Sequence, residues 1–120
     1  MKVLCFMRKR PDLSRDDFIR YYEEKHAPLI ASLLPFYDDY RRNYVAEVPG
    51  YQVDHLKGKE GDGVSFDVVT EWSFASKAMY KKLLAAMADP EVGKIIARDE
   101  ENFIDRESIK VYMVEEHRSE

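Results

Sequence analysis

The chain has 120 residues, 45% of them hydrophobic and 35% charged, with a formal net charge of -4 at pH 7. That length suits one domain over residues 1–120 with one compact core, and that balance is typical of a folded chain, not a disordered one. The charges are mixed in sign throughout, so nucleic acid is not an expected partner; "RKR" at Arg8–Arg10, the densest basic cluster, reads as a solvated strand end.

In chain order, MKVLCFMRKR lacks a signal-peptide core, and no later apolar run reaches the length of a membrane span. The expectation is a cytoplasmic protein without a membrane partner. Residues 2–9 form a first strand, ended by Pro11 and Asp12. Cys5, the sole cysteine, sits among Val3, Leu4 and Phe6 and reads as a buried, unreactive thiol in a reducing compartment. Ser14 caps a helix, with Asp17 three residues on, and the helix runs to about Leu34, where Pro35 stops it. Tyr40–Val48 is a second strand, rich in aromatic and β-branched residues. "KGKEGDG", Lys57–Gly63, reads as an exposed loop. Phe66–Phe74 is the third strand, and Ser76 caps a helix whose Met79, Leu83 and Met87 share a face. Asp89 and Pro90 start a further helix, with Asp as N-cap and Pro at the first helical position. Ser108–Glu116 is the last strand.

The order β-α-β-β-α-β, with an extra helix before the last strand, is the ferredoxin-like pattern. The fold class is therefore α+β: an antiparallel sheet with helices on one face. Its other face is too apolar to stay wet. In the third strand either Phe66, Val68, Thr70, Trp72 and Phe74, or Asp67, Val69, Glu71 and Ser73, turns away from the helices, and the first set is almost continuously hydrophobic. A second sheet from a two-fold homodimer is the simplest cover.

Two polar residues break apolar stripes. The first helix points Phe18, Tyr22, His26, Leu29 or Ile30, and Leu33 inward, so His26 faces the core. Pro28 lacks the N–H that would bond the Glu24 carbonyl, so the helix bends or breaks there and leaves room for a cleft. The late helix places Val92, Ile95 or Ile96, Asp99 and Phe103 on one stripe, which makes Asp99 an inward carboxylate. If imidazole and acid meet, the acid sets the tautomer and raises the histidine pKa, against the lowering that burial causes. The structural alternatives are a core histidine satisfied by a freed carbonyl and an Asp99 paired with Arg98, Arg106 or a lysine. Tyr40, Asn43 and Tyr44 bring a second set of polar groups to the sheet.

His26, His55 and His117 lie far apart, and there is no HExxH, HxH or paired cysteine for a metal. A nucleophile elbow and a phosphate loop are also missing. Proton transfer by an imidazole, without metal or cofactor, is what remains.

"MKVLCFMRKRPDLSRDDFIRYYEEKHAPLI", "YRRNYV", "FDVVTEWSF" and "DPEVGKIIARDEENFID", in this order, resemble the EthD family over nearly the whole chain. The most specific pieces are the helix ending in His-x-Pro-Leu and the late D-E-x-x-F-x-D, here Asp99, Glu100, Phe103 and Asp105. The resemblance implies a ferredoxin-like dimeric α+β barrel, with two sheets stacked across a two-fold axis. Members of the family are encoded beside ether-degradation and aromatic polyketide pathways. The wider superfamily includes cofactor-free monooxygenases, polyketide cyclases and methylmuconolactone methylisomerases. The isomerase-like relatives use a third-strand thiol; Glu71 and Trp72 occupy that neighbourhood here. On matching positions the family's histidine is His26 and its second-strand tyrosine is Tyr40.

The expected protein is thus a cofactor-free enzyme acting on an aromatic, polyketide-like or lactone metabolite. His26 is its general base or acid. Tyr40 bonds a substrate oxygen as charge develops, and Asp99 orients the imidazole or shares its proton. Tyr22, Asn43, Tyr44, Trp72 and Phe103 are the expected substrate contacts. The competing expectation is a carrier that binds a hydrophobic metabolite for a partner enzyme, and a third is a dimeric assembly partner without a ligand.

Overall fold

The computed structural model describes residues 1–47, 50, 52–59 and 65–120. Strand β1 is Lys2–Lys9, followed by helix α1, Arg15–Tyr21, and helix α2, Ala27–Leu33, with one π-helical turn, Tyr22–His26, between them. Then come β2, Asp39–Tyr44; β3, Val68–Ser73; α3, Lys77–Ala88; α4, Pro90–Glu100; and β4, Ile104–Val114. The four strands form one sheet in the order β2-β3-β1-β4, and every neighbouring pair is antiparallel. This is the expected ferredoxin-like α+β architecture. Among the described residues, no helix is long and apolar enough to cross a membrane.

Local chemistry accounts for the helix boundaries. Ser14 accepts the Asp17 N–H at the start of α1, and Ser76 accepts the Met79 N–H at the start of α3. Asp89 accepts the N–H groups of Glu91 and Val92 ahead of Pro90, so α3 and α4 meet at one shared residue. Pro28 lies in the first turn of α2 and has no N–H for the Glu24 carbonyl. The ladder responds with a wider step, and the Ala27 N–H reaches back five residues to Tyr22 O. The predicted single helix is therefore two α-helices joined by a π-turn, which keeps both Tyr22 and His26 buried.

Two strand boundaries differ from expectation. β2 ends at Tyr44, and Val48 and Glu60–Gly63 of the expected strand and loop lie outside the described residues. β4 begins at Ile104, four residues before the expected Ser108. Its first residues pair with Lys9 and Arg8, and a bulge between Phe6 and Arg8 then shifts the register. The bulge breaks the alternation that marks a strand in sequence, so only the later half was recognisable.

Register decides which face each strand residue takes. Val68, Thr70, Trp72 and Phe74 turn toward the helices with Val3, Cys5 and Met7 and are covered by α1 to α4, whereas Phe66 of the expected set, which precedes β3, packs on Phe6 of the other face. Apolar character on the other face comes from Leu4, Phe6, Phe66, Val69 and Tyr112, with Phe6 packed against both Phe66 and Tyr112. The core falls into two clusters: Met7, Phe18, Tyr22, Ala27, Val68, Phe103 and Ile104 at one end, and Val3, Ile30, Leu34, Phe74, Leu83 and Ile96 at the other.

Candidate active site

Between the helices and the sheet lies a cavity of about 230 Å³. An apolar cavity of about 150 Å³ already accepts a benzene ring, so this one has room for a small fused-ring molecule. Its walls are largely aliphatic and aromatic, and Leu84, Met87 and Val111 at its rim are exposed. Its polar lining comes from Cys5, Tyr22, His26, Tyr40, Thr70, Tyr80 and Glu100.

His26 is buried to 4% exposure, and its Nδ1 lies 2.7 Å from Asp99 Oδ2. The inward histidine and the inward acid of the two helical stripes do meet. Asp99 is held on its other oxygen by the Tyr21 hydroxyl at 2.6 Å, and Asn102 Nδ2 donates to that hydroxyl at 2.9 Å. Burial lowers the His26 pKa below its ordinary 6.5, and the hydrogen bond and charge of Asp99 oppose this without reversing it. The imidazole is therefore neutral near pH 7, with its proton on Nδ1 facing Asp99. Nε2 is left with a lone pair and no hydrogen-bond partner among the described residues. The ring is wedged between Phe103, at 4.8 Å between centroids, and the edge of Tyr22, at 5.4 Å.

A second network is made of hydroxyls. Tyr40 donates to the Tyr22 hydroxyl at 3.2 Å, which lies 2.8 Å from Thr70 Oγ1. Burial pushes the Tyr22 phenol up to about 12 and the Tyr40 phenol higher still, so neither ionises near neutrality. Tyr40 stacks on Trp72 at 4.2 Å, and the Arg42 guanidinium lies over its ring at 4.7 Å while binding both oxygens of Glu23. Tyr40 is thus held by stacking in the cavity wall, and its hydroxyl meets Tyr22 and not His26.

The other expected contacts divide. Tyr22 and Trp72 line the cavity. Phe103 lies behind His26 as packing, and Asp99 likewise acts from behind the imidazole. Tyr44 packs on Phe18 and Tyr22 and hydrogen-bonds Glu23, away from the cavity. Asn43 is on the opposite sheet face, bonded to Val69 O and Glu71. Strand parity separates them: with Tyr40 inward, Asn43 must point out.

Four polar residues of the lining, Thr70, Cys5, Glu100 and Tyr80, are not among the expected site residues. Thr70 is an inward polar residue in an otherwise apolar β3 row, which was the available signal. Cys5 was expected to be buried and inert; it reaches the cavity wall, where burial and the nearby charge of Glu100 push its thiol up to about 12. Glu100 follows Asp99 directly, and burial raises its carboxyl pKa above the ordinary 4.5 despite Arg106 Nε at 3.4 Å. Among the described residues, no three His, Cys, Asp or Glu side chains gather where they would hold a metal ion.

A family profile places the chain in a known class. The EthD domain profile matches residues 10–107, and the chain belongs to the EthD family. Its fold is similar to that of an EthD family protein from Bacillus halodurans C-125. The two are 20% identical with a TM-score of 0.62, over 98% of this chain and 99% of that one. The search of curated proteins finds no significant match.

Proposed function

We propose that the protein is a cofactor-free acid–base enzyme for an uncharged aromatic, polyketide-like or lactone metabolite. The observation that carries this reading is the bare Nε2 of a neutral imidazole that lines an apolar cavity, its other nitrogen fixed by Asp99. In that state His26 is a general base. Asp99, held by Tyr21, stabilises the imidazolium that forms when Nε2 takes a proton. The two bonds within the Tyr40–Tyr22–Thr70 set leave one O–H, on Tyr22 or Thr70, for a substrate oxygen, and Trp72 supports a ring.

The largely apolar walls equally favour a carrier role, which would need affinity and no proton transfer. Exchange of the α-protons of 2-tetralone, an uncharged fused-ring ketone, followed by NMR in D2O, separates the two. Catalysed exchange that falls by about 10²–10⁴-fold in His26→Gln supports the enzyme. Saturable binding with no exchange supports the carrier.

We further propose a homodimer formed through the outer sheet face, because Leu4, Phe6, Phe66, Val69 and Tyr112 make an apolar surface there that a second sheet would cover. Sedimentation should show a dimer that Phe6→Lys dissociates; a wild-type monomer would refute it. A reducing, cytoplasmic setting fits a chain whose one cysteine is a free thiol lining the cavity.

A further inference from the structure

Glu100 has no part in the reaction as drawn so far, yet its position is unusual. α4 ends at this residue, and its side chain lies on the cavity that His26 lines from the π-turn. Oε1 is bonded by Arg106 Nε from β4, whereas Oε2 has no hydrogen-bond partner among the described residues. Two side chains of the same cavity therefore each keep one free titratable atom: Nε2 of His26 and Oε2 of Glu100.

A carboxyl against apolar walls with one oxygen free lacks the solvation that stabilises its anion. The charged and titratable groups around it are Arg106 on β4, Asp99 on its own helix, Cys5 on β1 and His26 across the cavity. Arg106 favours the anion; burial and Asp99 favour the acid, and together they prevail. The cavity thus faces a bare basic nitrogen on one side and, on the other, a carboxyl that holds its proton more tightly than a solvated one.

We infer that Glu100 is the second catalytic residue of this cavity, the acid that protonates the substrate oxygen while His26 removes a proton from the adjacent carbon. The inference rests on the acid–base reading above. In the forward step the C–H bond breaks toward Nε2, and its electron pair forms a C=C bond. The carbonyl π pair passes to oxygen, which takes the proton of Glu100 Oε2. The products are a neutral enol, an imidazolium and a carboxylate. In return, Glu100 takes the O–H proton and the imidazolium delivers a proton to the same carbon or to a conjugated one. The net reaction is an isomerisation of an uncharged enolisable ketone or lactone, and it requires no oxidant or reductant.

The test uses the full-length protein, 2-tetralone and the exchange assay. Glu100→Gln should slow exchange by about 10²-fold, and Glu100→Asp should restore part of it. The pH profile should be bell-shaped in the wild type and lose one limb in Glu100→Gln. In protein carrying 13C-labelled glutamate, the Glu100 carboxyl resonance should move when 2-tetralone binds. If His26→Gln loses exchange while Glu100→Gln keeps the wild-type rate and profile, this inference alone falls. An unmoved Glu100 resonance at saturation also overturns it. Binding by the wild type without any exchange removes the acid–base reading, and this inference with it.

Discussion

The two hydrogen-bond networks beside the cavity are built from similar parts and behave differently. One, Asn102–Tyr21–Asp99–His26, contains a carboxylate and an imidazole and runs outward to an exposed amide. The other, Tyr40–Tyr22–Thr70, contains only hydroxyls and joins the sheet to the π-turn, with one O–H left over from its two bonds. The first contains an imidazole that changes charge on the acid side of its ordinary 6.5. The second keeps its protons until strongly alkaline conditions, because burial has raised both phenols. The acid–base chemistry therefore belongs to the first, while the second supplies a neutral donor and rigidity.

Both networks lean on one ring. Phe103 is fully buried and lies 4.8 Å from His26, 5.2 Å from Tyr22 and 5.0 Å from Tyr21. Phe103→Ala should therefore break the comparison by loosening both networks together. The expected cost is about 3–5 kcal/mol, read from chemical denaturation. A loss below 1 kcal/mol would show that the networks hold their geometry without it.

Single polar deletions should separate the networks. Asp99→Ala strands the Nδ1 proton of His26 and the Tyr21 hydroxyl, and Tyr22→Phe strands Thr70 and Tyr40. Each should cost about 1–3 kcal/mol, since a buried group left unpaired loses its solvation without return. The difference lies in rescue. Tyr22→Phe combined with Thr70→Val replaces two facing hydroxyls by apolar groups of similar shape and should recover much of the loss. Asp99→Asn keeps the shape but offers an amide in place of the anion, so it should recover stability better than exchange activity.

The sequence pattern revealed the first network more fully than the second, for a geometric reason. Helical spacing states which residues share a stripe, and a stripe that is otherwise apolar must face inward; His26 and Asp99 were recognisable on that ground. Glu100 was readable by the same rule and was missed: it stands four residues after Ile96, which lines the same cavity, but the stripe drawn through Asp99 and Phe103 passes beside it. In strands, alternation groups Tyr40 with Tyr44 and sets Asn43 apart, but it does not say how far along the strand the cavity extends. Tyr44 is inward and still misses it, packed beyond Tyr22. The π-turn also lay beyond local pattern: Pro28 announces a disturbed helix, but not whether it kinks, stops or widens.

The smallest expected effect is the pH dependence of stability, and it sharpens the contrast most directly. For His26 the folded pKa lies below the ordinary 6.5, so the folded state binds fewer protons than the unfolded chain around that pH. Its contribution is complete above about pH 6.5 and is lost as pH falls from there through the lowered folded value. The sign is opposite for Tyr22, whose phenol is raised from 10.0 to about 12. That contribution is complete below pH 10 and is lost as pH rises toward 12. Melting temperatures followed across the acid range should fall more gently in His26→Gln than in the wild type, while the alkaline limb stays unchanged. Tyr22→Phe should flatten the alkaline limb and leave the acid one intact. If His26→Gln altered both limbs, the networks would be one coupled system, and Phe103 would transmit charge-dependent strain instead of merely separating two independent sets of bonds.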